Sequence, residues 1–112
     1  MENSSRNGIV VMIENIDFCS TETSFDLYGL GYIGDGSLIS IYNAQKWLRI
    51  TFGICIYPTI EKFENDKGDP IWSCTVFVPY NIIKITPRGT YEEVLKFGIN
   101  IAIDILKQKN NE

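Results

Sequence analysis

The segment that begins at Thr90 constrains the fold most, because it carries both a helix start signal and a helical hydrophobic pattern. Thr90-Tyr91-Glu92-Glu93 is a capping box, in which a hydroxyl and a carboxylate each accept from the other residue's backbone N–H. Placed at 100° intervals, one broad arc of the following residues is apolar: Val94, Leu95, Ile101, Ala102, Ile105 and Leu106. The pattern predicts an amphipathic helix over 90–108 that packs on a core. Gly98 interrupts the apolar arc, which predicts that another backbone approaches closely there.

A second helix is predicted over 41–52, with Ser40 as its N-cap and Gly53 ending it in the left-handed conformation. Its apolar face consists of Ile41, Ala44, Trp47, Leu48 and Thr51. Trp47 is therefore expected in the core. A short helix near 20–28 is also predicted, although its β-branched and small polar residues favour it less. Residues 8–13 fit either a strand or a helical turn, and 1–17 fit either a flexible segment or a peripheral strand.

Between the two longer helices the hydrophobic period changes from 3.6 to 2, which indicates strands. Segments 54–63 and 71–80 read as an antiparallel hairpin with a long solvated loop at 64–70, and 81–86 as a third short strand. We predict an α+β fold, with a small antiparallel sheet of two to three strands at about 54–86 packed through one face on the helices at about 41–52 and 90–108.

The length of 112 residues predicts a single domain, and we expect its apolar residues to be used as core. No apolar run approaches the ~20 residues that span a bilayer, so no membrane association is expected. The first residues lack the features of a secretory signal, which predicts a cytoplasmic protein. The odd count of 3 cysteines suits reduced, buried thiols.

Glycines at 29, 31 and 34 form a formal GxGxxG pattern, the fingerprint of dinucleotide-binding folds. Asp35-Gly36 follows at once, where such a fold would begin its phosphate-binding helix, and no acid lies about 20 residues further on. A glycine-rich turn is the preferred interpretation, and no cofactor is expected.

Few residues of this chain are suited to catalysis. It has 0 histidines, which removes the commonest general base and a common metal ligand. Cys55 and Cys74 lie among apolar neighbours, which keeps a thiol inert. The acidic residues of the 64–69 segment resemble a calcium loop only loosely, because Lys67 interrupts them and a terminal glutamate is missing. We expect no enzymatic activity, no catalytic residue and no metal site.

Two binding interpretations remain open. Tyr42, Lys46 and Arg49 share an exposed face of the second helix, which would be the recognition helix of a helix-turn-helix. The formal charge of -4 disfavours DNA, because neutralised phosphates supply most non-specific affinity. An acidic surface suits a basic site on another protein instead. Trp72 fits either a core residue or an exposed anchor for a partner.

The string Ala44-Gln45-Lys46-Trp47-Leu48-Arg49, followed by a strand with Trp72 and by Thr90-Tyr91-Glu92-Glu93-Val94-Leu95, resembles a group of small proteins of Bacteroidota genomes, phages and mobile elements. The resemblance covers about residues 18–107. It implies an intracellular accessory protein of phage or mobile-element origin. It assigns no catalytic or binding residues to this chain. Ile50-Thr51-Phe52 stands where members of that group carry polar residues, which implies a more apolar, partner-covered surface beside the second helix.

The preferred function from sequence is therefore a non-enzymatic module that binds another protein, with Tyr42, Lys46, Arg49 and Trp72 as candidate contacts. DNA binding through the exposed face of the second helix is the alternative. Association of the protein with itself is a further way to cover the apolar strip around Ile50 and Phe52.

Overall fold

The computed structural model describes residues 17–64, 68–79 and 81–110, and these form helices on one face of an antiparallel sheet. The elements are α1 (Thr21–Gly29), α2 (Ile41–Phe52), β1 (Cys55–Glu64), β2 (Asp69–Val78), β3 (Asn81–Gly89) and α3 (Tyr91–Asn110). The predicted α+β fold is confirmed. The alternatives for 8–13, and those for 1–17 apart from Asp17, lie outside the described residues.

Local capping signals determine where α2 begins and ends. The Ser40 hydroxyl accepts from the backbone N–H of Asn43 at 3.1 Å, which satisfies a free donor of the first turn. Gly53 takes the left-handed conformation, with φ of 71°, and its N–H donates to the Arg49 carbonyl. The N–H of Ile54 then donates to the Leu48 carbonyl at 3.2 Å. Both predicted ends of this helix are confirmed.

The sheet is a meander in the order β1-β2-β3. Glu64 pairs with Asp69, so the pairing of β1 with β2 continues to the ends of both strands. The connection between these strands is therefore shorter than the predicted 64–70 loop. The third strand runs to Gly89 rather than to residue 86. It accommodates Pro87, which has no N–H to donate, because the register of β3 against β2 shifts between Ile85 and Gly89.

α3 lies across the inner face of the sheet, and its capping box forms as predicted. The Glu93 carboxylate accepts from the Thr90 N–H at 3.0 Å, and the Thr90 hydroxyl accepts from the Glu93 N–H at 3.2 Å. The predicted apolar arc is incomplete, since Ile99 and Ile103 are buried while two of its members are only half-buried. The residues that fill the core between α3, α2 and the sheet include Ile41, Ala44, Leu48, Ile56, Cys74, Val76, Val94, Leu95, Ile99, Ala102 and Ile103.

Gly98 marks the closest approach of α3 to the sheet. A Cβ atom at this position would lie 2.6 Å from Cγ2 of Ile56 and 2.8 Å from Sγ of Cys74. The prediction of a close approach is confirmed, but the groups that approach are sheet side chains rather than another backbone. Only glycine leaves room for them without a shift of the core.

α1 is held by polar contacts that compensate for its weak propensity. The Ser20 hydroxyl caps it by accepting from the Thr23 N–H, and the Thr23 hydroxyl donates to the side-chain carbonyl of Asn100 on α3 at 2.7 Å. The hydroxyl of buried Ser24 accepts from the Ile39 N–H at 3.1 Å. These bonds attach α1 both to α3 and to the segment that leads into α2.

The glycine-rich segment forms the loop between α1 and α2, and no helix begins within it. Gly31 and Gly36 adopt φ of 113° and 89°, conformations that side-chain-bearing residues rarely take. The Tyr28 hydroxyl donates to the Ser37 carbonyl at 2.7 Å and accepts from the Gly36 N–H at 3.1 Å. The turn interpretation is thus confirmed, and the segment is too long for the short connection of a helix-turn-helix.

Candidate functional site

Several large apolar side chains are exposed, which corrects the expectation that they are used as core. Ile33 is 93% exposed and Ile50 is 67% exposed. Both line an open groove of about 360 Å³ beside α2, together with Tyr32, Asn43, Lys46 and Trp47. We call these six residues the α2 groove. Of the apolar strip around Ile50 and Phe52 that the sequence places beside this helix, Ile50 lines the groove, whereas Phe52 is half-buried against the core.

A run of packed aromatic rings holds the wall of the α2 groove. Neighbouring rings of Tyr28, Tyr32, Trp47 and Phe52 meet edge to face, with centroids 5.7, 5.5 and 5.3 Å apart in that order. Each such pair contributes about 0.5–1.5 kcal/mol beyond its area burial. Trp47, predicted as core, is half-buried instead, because its outer edge belongs to the groove. The ring contacts therefore hold the wall of the α2 groove in place.

The structure separates the candidate contacts that share a face of α2 in the sequence pattern. Lys46 lines the α2 groove, whereas Arg49 lies in a small recess of about 90 Å³ beside Tyr57 of β1. The Tyr42 hydroxyl donates to the Asp17 carboxylate at 3.3 Å. One of the three residues thus faces a negative charge, and the other two line different depressions.

Trp72 lies elsewhere, at the N-terminus of α3. It is half-buried, and its ring meets that of Tyr91 edge to face at a centroid distance of 4.9 Å. Trp72 is therefore neither fully in the core nor fully exposed, since it packs on the core and also lines an open cleft of about 580 Å³. A role as an anchor for a partner stays a prediction. We call this depression between the start of β2, the end of β3 and the first turn of α3 the α3 cleft.

The described cysteines are free thiols, and burial is the main cause of a raised pKa in two of them. Desolvation raises the pKa of Cys19 and of Cys74 to about 11, so neither is a thiolate at neutral pH. Among the side chains that the structure describes, no cluster of histidine, cysteine or acidic groups has a metal-binding arrangement. Every buried polar atom of those side chains has a hydrogen-bond partner.

The sequence did not identify Tyr32 and Ile33 as part of a site, because both lie in the glycine-rich loop. Ile33 lies between Gly31 and Gly34, outside any helix or strand whose apolar face could bury it. This position is the one sequence signal that its side chain is exposed.

Within the described segments each helix is too short or too polar to span a lipid bilayer.

Comparison of the chain with protein-family models, with curated proteins and with solved structures found no match. Function is therefore inferred from the geometry of these two depressions and from the charge of the chain.

Proposed function

We propose that this protein is a non-enzymatic interaction module that binds another protein through the α2 groove. The observation that carries the proposal is the combination of two strongly exposed isoleucines, Ile33 and Ile50, with a half-buried tryptophan between fixed aromatic neighbours. Tryptophan and tyrosine are enriched among residues that dominate binding energy, and exposed apolar patches mark interaction sites.

The partner that fits this groove presents apolar side chains, for example from one face of an amphipathic helix. Binding would remove Ile33 and Ile50 from water and would set the partner's side chains against Trp47. Asn43 and Lys46 would supply polar contacts at the edge of the groove, where they fix orientation more than affinity. Ordering costs stay low because the ring contacts already hold the wall.

A protein partner is favoured over DNA by the kind of residue that the groove exposes. Lys46 is the one cation among its six lining residues, and the whole chain carries a formal charge of -4. Binding to duplex DNA depends on many phosphate contacts. We also propose, from the sequence resemblance, that the protein is an accessory factor of phage or mobile-element origin and that its partner is a host factor.

The test is affinity purification from the cells that naturally carry the protein, with three baits compared side by side. Wild-type protein and a Phe25→Asp control should recover the same stoichiometric partner, since Phe25 is an exposed residue of α1 outside the groove. An Ile50→Asp bait should lose it. Equal recovery by all three baits would refute a role for the groove. If the partner recovered is a second copy, light scattering should show a dimer that Ile50→Asp dissociates.

A salt titration against duplex DNA tests the alternative. We expect no binding at low salt. A Kd that weakens steeply with added salt, and that further weakens with Lys46→Gln and Arg49→Gln, would instead support DNA binding through α2.

A further inference from the structure

We propose that the α3 cleft binds a lysine or arginine side chain on a basic segment of a partner protein. The cleft is distinct from the α2 groove, and the inference does not depend on what the groove binds. It rests on three observations: a cavity of about 580 Å³, an aromatic lining, and an excess of negative charge around that lining.

The aromatic lining consists of Trp72 from β2 and Tyr91 from α3. Their rings stand at 89° to one another, so the pair forms a corner of the cleft rather than a flat stack. A cation within about 6 Å of an aromatic ring centre is attracted to the ring face, most strongly for tryptophan. The alkyl stem of a lysine or arginine would meanwhile contact the apolar surface of Pro70 and Ile71, which also line the cleft.

Charge decides which kind of side chain the cleft favours. Asp69, Glu92 and Glu93 line it, against a single cation, Arg88. A positive group entering this region is attracted, and a negative one is repelled.

The N-terminus of α3 would by itself favour an anion, but part of its first turn is already satisfied. The capping box uses the N–H groups of Thr90 and Glu93, and the carboxylates of Glu92 and Glu93 offset the positive end of the helix dipole. The cleft therefore favours a cation despite its position at a helix start.

The experiment is a peptide titration of the full chain, followed through the indole N–H signals of its 2 tryptophans by NMR. The probe is a lysine-rich glycine-serine peptide, and the matched control has glutamine in place of each lysine. A Trp47→Phe variant assigns the two signals. We expect the lysine peptide to shift the Trp72 signal and to leave the Trp47 signal in place, with affinity falling as salt is added. The glutamine peptide should shift neither.

Charge variants on the rim make the test specific. Glu92→Gln and Asp69→Asn should each weaken peptide binding by about 2- to 5-fold, the range for exposed ion pairs. Arg88→Gln should strengthen it, a gain that simple destabilisation of the fold would not produce. Glu22→Gln removes the same charge from an exposed position on α1 and should leave the affinity unchanged.

Two results would overturn the proposal. One is no change of the Trp72 signal at millimolar lysine peptide and low salt. The other is an equal weakening by Glu22→Gln and Glu92→Gln, which would show attraction to the chain's overall charge rather than to the cleft. Ile50→Asp, which tests the α2 groove, should not affect this titration, so the two proposals can fail separately.

Discussion

Replacing Gly98 with alanine should destabilise the protein, although alanine is the better helix former. In an open helix interior the change would gain about 1 kcal/mol. Here the new Cβ would lie 2.6 Å from Cγ2 of Ile56 and 2.8 Å from Sγ of Cys74, distances at which atoms must move. Both neighbours are buried and belong to the sheet. Overpacking of this kind costs about 1–3 kcal/mol. Set against the gain of about 1 kcal/mol in helix propensity, we expect a net loss of up to about 2 kcal/mol in the free energy of unfolding.

The assay is urea unfolding, with Gly29→Ala as the matched control. Gly29 ends α1, and a Cβ atom added there would meet no heavy atom within 4 Å beyond its chain neighbours and its own helix backbone. Alanine at this position should therefore be neutral or stabilising by up to about 1 kcal/mol. A Cys74→Ala background removes one of the two clashes at Gly98 and should reduce the cost of Gly98→Ala. Stabilisation by Gly98→Ala, or an equal cost in both backgrounds, would refute the close packing of α3 on the sheet.

Three further outcomes follow from the caps and the thiols. Thr90→Ala should lower the free energy of unfolding by about 1 kcal/mol, because it removes the hydroxyl that caps α3. An unchanged midpoint of urea unfolding would contradict this. The Thr90 N–H donates to the Glu93 carboxylate and lowers its pKa. This hydrogen bond thus stabilises the fold above the ordinary glutamate pKa, and its contribution is lost as pH falls through the lowered value. Glu93→Gln should therefore make the free energy of unfolding depend less on pH in the acidic range. At pH near 8, alkylation followed by mass spectrometry should modify half-buried Cys55 before Cys19 and Cys74, whose pKa values of about 11 keep them protonated; equal rates would contradict their burial.

The helices could be predicted because their signals are local. Ser40 and Gly53 mark both ends of α2 within the helix's own sequence, and Thr90 and Glu93 do the same for the start of α3. The C-terminus of α3 has no comparable stop signal in the sequence. The helix extends to Asn110 instead of ending at residue 108.

The sites could not be predicted because they are made by residues far apart in the chain. Tyr32 meets Trp47 across the loop between α1 and α2, and Trp72 meets Tyr91 across the whole of β3. A periodic pattern assigns each residue to the inside or the outside of its own element. It does not show which outer residues then meet, and so it grouped Tyr42, Lys46 and Arg49 although their surroundings differ.

Photo-crosslinking from single positions tests the α2 groove most directly. A photoreactive residue at position 33, which is 93% exposed, is compared in the native cells with the same residue at position 25, which is 77% exposed on α1. We predict one dominant covalent adduct from position 33, absent from position 25 and lost when Ile50→Asp is added. Adducts of equal yield from both positions, or none from position 33, would contradict docking of a partner in the groove.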